Sequence, residues 1–220
     1  MFNNLKSIIS LLFILLSCTS SWTQENSSII TSISSARSSH NGTLVKIKGI
    51  ITVPSGYFAS SIPFGYAIQD KTAGIYVIDT IEIMKGEYQI GDEIVVTGIR
   101  SEAYGLSTIK EIKASKISED QIIMPIKVET GSINESTEGT LISTSGKIME
   151  LRNDAPYGYK VFIDDGSGLI DIYVNTSTGM IRDTSKWNAG MTISVTGFSS
   201  QYQSEYECDP RVPSDIVIKQ

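Results

Sequence analysis

Tyrosine, phenylalanine and the long cations are the residue types here whose spacing could do chemistry, and they fall into two groups. The first is Tyr57, Phe58, Tyr66 and Tyr76 with Lys46, Lys48 and Arg100; the second is Tyr157, Tyr159, Phe162 and Tyr173 with Lys147, Arg152 and Lys160. Flat aromatic faces beside flexible cations suit a ligand that stacks and carries anionic groups at intervals, as a single nucleic-acid strand does. Each exposed base–aromatic stack contributes about 1–3 kcal/mol. The competing reading is structural, because Tyr and Phe favour strands and alternation along a strand turns about half of them into a core.

Other chemistries lack their residues. His40, beside Asn41 and Gly42, reads as a turn residue, since no Ser or Cys nucleophile motif accompanies it. Asp164, Asp165 and Ser167 in DDGSG, with Asp70 and Thr72 at the matching place, lack the ligand series of a calcium loop and supply what a hairpin turn needs. Asn26, Asn41, Asn134 and Asn175 each begin an Asn-x-Ser/Thr sequon, which a Ser/Thr-rich chain produces by chance. The sequence has no Gly-rich phosphate loop, HExxH or CxxC, and offers no acid–base pair with a shared site. Neither a metal nor a cofactor is expected, and the chain reads as non-enzymatic.

The elements that must position the aromatic groups come as a tandem repeat. GYAIQDKTAGIYV, from Gly65, returns as GYKVFIDDGSGLIDIYV from Gly158, each copy an alternating run, an Asp-led turn and a second run rich in Ile, Tyr and Val. That pattern is a β-hairpin. GTLVKIKGIITV, from Gly42, recurs 97 residues on as GTLISTSGKIMEL, with Gly146 falling on Gly49. GDEIVVTGI, from Gly91, recurs 99 residues on within AGMTISVTGF. Blocks that keep their order mark two structural units. Val45, Ile47, Ile51 and Val53 alternate with polar residues as in a half-buried strand, and Gly49 within it predicts a bulge or bend. A loop or helical turn is expected after each hairpin, in TIEIMKGEYQIGD and between Gly179 and Trp187, and YGLSTIKEIKASKI supplies a long fifth strand with outward lysines.

The first residues stand outside both units. Lys6 precedes the apolar run IISLLFILL, too short for a span that needs about 20 residues, so it reads as an export signal. Leu15, Leu16, Ser17 and Cys18 resemble a bacterial lipobox, whose Cys becomes the lipid-modified first residue; the other fate is ordinary cleavage near Gln24. Either leaves Cys208 unpaired, and the fold without a disulfide. The formal net charge is −6, and loss of Lys6 makes it one unit more negative. Residues 25–125 carry eleven Asp or Glu against nine Lys or Arg, and residues 126–220 thirteen against eight. An acidic chain lacks the general attraction behind non-specific nucleic-acid binding, so such binding would need a local basic stripe.

The organisation expected is a signal over residues 1–24, a tether over 25–41, a first barrel over 42–120, a linker over 121–138 and a second barrel over 139–220. Five short strands per unit, the first long and Gly-kinked, predict an all-β fold of two tandem five-stranded Greek-key barrels of the OB type. Paired immunoglobulin-like sandwiches would need about seven strands each and a Trp-centred core, and neither Trp22 nor Trp187 lies in a strand of the first unit.

GTLVKIKGIITVPSGYF, GYAIQDKTAGIYV and GDEIVVTGIRSEAYGLSTI resemble the OB-fold modules that accompany secreted bacterial endonucleases and nucleotidases, as do GYKVFIDDGSGLIDIYVN, VTGFSSQY and CDPRVPSDIVI in the second unit. In that family the hydrolytic activity belongs to separate domains, so the resemblance implies a binding module. Two functions follow as expectations. One is capture of single-stranded nucleic acid, or another oligomeric ligand, on the aromatic and basic residues named above. The other is a cell-envelope module for a protein or glycan partner, with no nucleic-acid affinity. Membrane attachment is expected only through a lipidated Cys18.

Overall fold

The computed structural model describes residues 29–58, 62–80, 87–179 and 187–219. The segment read as an export signal, with Cys18, and the turns expected around 81–86 and 180–186 lie outside the described residues. The first unit builds β1 (Leu44–Val53), β2 (Gly65–Gln69), β3 (Gly74–Ile78), β4 (Glu93–Ala103) and β5 (Leu106–Ser118). They close into a barrel in the order β1-β2-β3-β5-β4, with β3 and β5 parallel. This is the Greek-key order of the OB-fold. Alternation fills it: Val45, Ile47 and Ile51 from β1 meet Tyr66 and Ile68, Ile75 and Val77, Ile94 and Val96, and Ile109 in one core.

The second unit repeats the plan with β7 (Leu141–Asp154), β8 (Gly158–Asp164), β9 (Leu169–Asn175), β10 (Thr192–Tyr202) and β11 (Glu205–Asp209). β10 also pairs with β7, closing the sheet, and β9 and β11 are again parallel. Two short strands extend it, β6 (Ile126–Lys127) along β7 and β12 (Ile216–Lys219) along β10. The segment read as a linker thus contributes a strand to the second barrel. Its core is Ile142, Ile148, Val161, Ile163, Ile170, Ile172, Ile193 and Val195, and the free thiol of Cys208 is buried among them.

The mid-strand glycines mark where the long first strand changes partner. Ile50 pairs with Glu93 on one side and Gln69 on the other, and Lys147 likewise with Thr192 and Asp164. The bulge itself falls later, between Ile51 and Val53 and between Ile148 and Glu150. Gly146 is needed for close approach, since a Cβ there would lie 2.8–2.9 Å from the backbone of Asp164.

The Asp-led turns hold each barrel's entry. In the first unit Asp70 Oδ2 accepts from Ile33 N at 2.9 Å and Thr72 Oγ1 from Ser34 N at 3.1 Å, fixing the start of α1 (Ile33–Arg37). In the second, Asp165 Oδ2 accepts from Thr130 N at 3.2 Å and Ser167 Oγ from Gly131 N at 2.8 Å, fixing the 3-10 turn Thr130–Ser132. Among the described residues no cluster of His, Cys, Asp or Glu could hold a metal ion.

The barrels pack against each other through a third apolar cluster. Val53, Ala67, Tyr76 and Leu106 on the outer face of the first barrel, with Phe58 and Ile62 from its β1–β2 loop, surround Phe198 of β10. The Phe198 ring lies 6.1 Å from that of Phe58 and 6.0 Å from that of Tyr76. Polar ties flank it: Leu141 N donates to Gln69 Oε1 at 2.7 Å, Arg211 Nη1 to Thr52 O at 3.0 Å, and the buried Glu138 pairs with Arg37 at 2.9 Å while accepting from Ser107 N at 3.1 Å.

Candidate functional site

In an OB barrel the outer face around strands two and three, rimmed by the β1–β2 and β4–β5 loops, is the place for a ligand. Register shows what each copy puts there. Ala67 faces Tyr76 across the first hairpin and Tyr76 faces Thr108, whereas Lys160 faces Tyr173 and Asp171 faces Glu207 in the second. Equivalent positions are therefore Ala67 and Lys160, Tyr76 and Tyr173, Leu106 and Glu207, Thr108 and Asp209. The first set is largely apolar and covered by Phe198; the second is charged and opens into a cleft.

This cleft, about 500 Å³, is lined by Tyr104, Tyr157, Tyr173 and Tyr202 with Asp154, Lys160 and Glu207. Two hairpin tips form part of its rim. Tyr104 and Gly105 turn between β4 and β5 with φ of 54° and 94°, and Gln203 turns between β10 and β11 at φ 58°. Positive φ at both Tyr104 and Gly105 suits a tight two-residue hairpin. The tips lean on each other: Gln203 N donates to Tyr104 O at 2.5 Å, and the rings of Tyr104 and Tyr202 lie 5.4 Å apart. A Cβ on Gly105 would come within 2.6 Å of Gln203 O, so only glycine allows this approach. Tyr104, Tyr157 and Tyr202 remain exposed.

Carboxyl groups dominate the floor. Lys160 Nζ pairs with Asp171 Oδ2 at 2.7 Å and lies 5.2 Å from the centre of the Tyr173 ring, whose hydroxyl donates to Asp154 Oδ2 at 2.9 Å. Asp171 Oδ1 and Asp209 Oδ1 are buried and have no hydrogen-bond partner among the described residues. Glu207 is 4% exposed and faces the cleft with neither a hydrogen bond nor an ion pair among them. Burial, then the nearby Asp171, pushes its carboxyl up to about 8 against the pull of Lys160. Burial and the Glu207 charge likewise raise Asp209 well above the carboxylate range. Burial alone would lower the Lys160 ammonium, but Asp171 outweighs it and holds the group above its ordinary value.

Tyr157, Lys160 and Tyr173 are thus brought together, and the other residues expected at a ligand face are dispersed. Five expectations are corrected. Phe58 and Tyr76 are fully buried in the contact between barrels. Tyr66 points into the first barrel, where its hydroxyl donates to Glu111 at 2.5 Å. Tyr159 packs on the second core. Arg100 is buried, donating to Asn41, Ser107, and the carbonyls of Arg37 and Ser101. Tyr57 and Lys46 are half-buried, and Lys48 is exposed and paired with Glu93 at 2.8 Å. Lys147 is exposed across from Asp164. Arg152 lies 4.8 Å over Phe162 and pairs with Glu150.

Sequence reasoning missed Tyr104 and Tyr202, and the acids Asp154, Asp171, Glu207 and Asp209. A signal existed for the acids on β9 and β11: Asp171 stands between Ile170 and Ile172, and Glu207 and Asp209 flank Cys208, all at outward positions of alternating strands.

No family model matches the chain, and no curated protein matches it. Solved structures do. A Stn1–Ten1 complex of S. pombe is 17% identical over 36% of this chain and 58% of its own, with a TM-score of 0.32. The E. coli protein YgiW is 19% identical over 40% of this chain and 90% of its own, with a TM-score of 0.32. The OBody AM1L10, bound to hen egg-white lysozyme, is 17% identical over 45% of this chain and 99% of its own, with a TM-score of 0.37. Each likeness spans less than half of this chain, and the fold assignment rests on the strand order described above.

Proposed function

We propose that the chain is a non-enzymatic binding module that takes a protein or glycan partner in the tyrosine-rimmed cleft of its second barrel, and does not capture nucleic acid. The observation that carries this reading is what the repeat presents at its ligand face. In the first barrel the face is occupied by Phe198. In the second, a phosphate would meet Asp154, Glu207 and, behind them, Asp171, with Lys160 already committed to Asp171. Affinity for nucleic acid rests on cations that neutralise phosphates, so this surface opposes it. Tyrosines, by contrast, offer broad contact area with a polar edge, which suits protein and sugar surfaces. The apolar run after Lys6, read as an export signal, supports a module that works outside the cytosol, free or held through lipid on Cys18.

Fluorescence anisotropy of labelled single-stranded DNA and RNA, titrated with the full chain at about 50 mM and about 200 mM salt, tests the exclusion. The expected titration is flat at both. Micromolar binding that weakens with salt would overturn the reading. Arrays of glycans and peptides test its positive half, where Tyr157→Ala and Tyr202→Ala should each abolish capture of whichever ligands bind.

A further inference from the structure

The cleft floor holds more carboxyl groups than its one cation balances. Asp154, Asp171, Glu207 and Asp209 surround Lys160, and Lys160 satisfies a single oxygen, Asp171 Oδ2. Glu207 is more than nine-tenths buried, faces the open cleft and has no partner among the described residues. Behind it Asp171 Oδ1 and Asp209 Oδ1 are buried without a hydrogen-bond partner among the described residues, so the floor is rich in acceptors that a donating ligand would meet at Glu207. Lys160 also shows what such a floor accepts, since its ammonium rests between a carboxylate and the face of Tyr173. Carboxylates and tyrosine faces attract the same charge, and an aromatic rim suits an aliphatic stem.

We propose that the cleft receives a primary alkylammonium group, of the kind that ends a lysine side chain of a partner protein, with the ammonium on Glu207 and the stem against the rim tyrosines. This rests on the cleft being the ligand site. Glu207 is acted on by Asp171 from β9, Lys160 from β8, Asp154 from β7 and Glu205 from its own strand, and its charge in turn bears on Asp209 two positions along and on Tyr173 of β9, so an incoming cation adds to the attraction that Lys160 supplies. Below about pH 8 the Glu207 carboxyl is largely protonated. Binding then releases that proton to the buffer, and affinity rises with pH.

Isothermal titration of the full chain with Nα-acetyl-lysine methylamide, in buffers of different ionisation heat, reads both effects. Saturable one-to-one binding with proton release is expected, tightening between about pH 6 and pH 9, and absent for the norleucine analogue that lacks the amine. Glu207→Gln should weaken it about tenfold or more, the scale of a lost hydrogen bond to a charged group. Tyr157→Ala, at an exposed position, should weaken it without disturbing the fold. No saturable binding, equal binding of the norleucine analogue, or binding indifferent to both variants would overturn the inference. Binding of glucosamine in place of the lysine probe would overturn it as well, in favour of an amino sugar. If the lysine probe fails while an amine-free partner is captured in a Tyr157-dependent way, the ammonium inference falls and the cleft reading stands. If no ligand depends on Tyr157 or Tyr202, the cleft reading falls too.

Discussion

Glu207 carries a stability signature independent of any ligand. Its folded carboxyl titrates near 8 against an ordinary 4.5, so between those values the native state holds a proton that the unfolded chain has released. Stability from this group is fully present below about pH 4.5 and is lost as pH rises through about 8. Thermal unfolding followed by circular dichroism should therefore show a midpoint that declines across this window. Glu207→Gln, which keeps the shape and removes the charge, should flatten that decline by several degrees, roughly what 1–2 kcal/mol gives in a domain of this size. An identical pH profile in the variant would mean that another group carries the dependence. At this scale the sequence was legible for residue type and opaque for environment. Tyr66 and Tyr76 look alike in their strands, yet one faces Glu111 inside a barrel and the other faces Phe198 outside it. Alternation says which residues share a face, and nothing local says what covers that face.

The elements were far more legible, because the repeat checks itself. Every strand expected from the alternating runs is present, and both barrels close in the same order. What the sequence concealed is how the Asp-led turns are used. Asp70 does more than shape its hairpin: it accepts from Thr72 N at 2.7 Å and Ala73 N at 3.0 Å through one oxygen and from Ile33 N at 2.9 Å through the other. Burial would raise this carboxyl, and those donors outweigh it, holding it below the usual range. The same device recurs at Asp165 and Thr130, so it belongs to the unit's architecture. A partner 37 positions away in the chain gives no spacing signal that could reveal it. Asp70→Ala strips the first turn of α1 of an acceptor, which by analogy with helix N-caps costs about 1 kcal/mol. Urea denaturation should show that loss at neutral pH. Asp70→Asn, able to accept through its amide oxygen, should recover part of it, and equal loss in both would indicate that charge is the larger contribution.

At the level of the whole molecule, the two barrels of the repeat use the same outer face differently, one covered by its neighbour and one open as a cleft. Tyr76 and Tyr173 occupy the same place in the repeat, yet Tyr76 is closed in by Phe58, Leu106 and Phe198 while Tyr173 lies beside Lys160 above an acidic floor. This is why Phe58 and Tyr76 are closed off from any ligand: the docking of one unit on the other, which no local pattern encodes, consumed their face. Phe198 is the point where this dependence can be measured. It belongs to the second barrel, but six of its partners in the cluster, Val53, Phe58, Ile62, Ala67, Tyr76 and Leu106, belong to the first. Truncating a buried Phe to Ala typically costs about 3–5 kcal/mol in lost transfer energy and residual cavity. Here the void opens against the outer face of β3 and β5, so Phe198→Ala should lower amide exchange protection in those strands as well as in β10. Hydrogen exchange followed by mass spectrometry resolves the two barrels separately. Loss of protection confined to the second barrel would show that the first is stable without its neighbour, and that the apolar face at Ala67, Tyr76 and Leu106 is covered but not held.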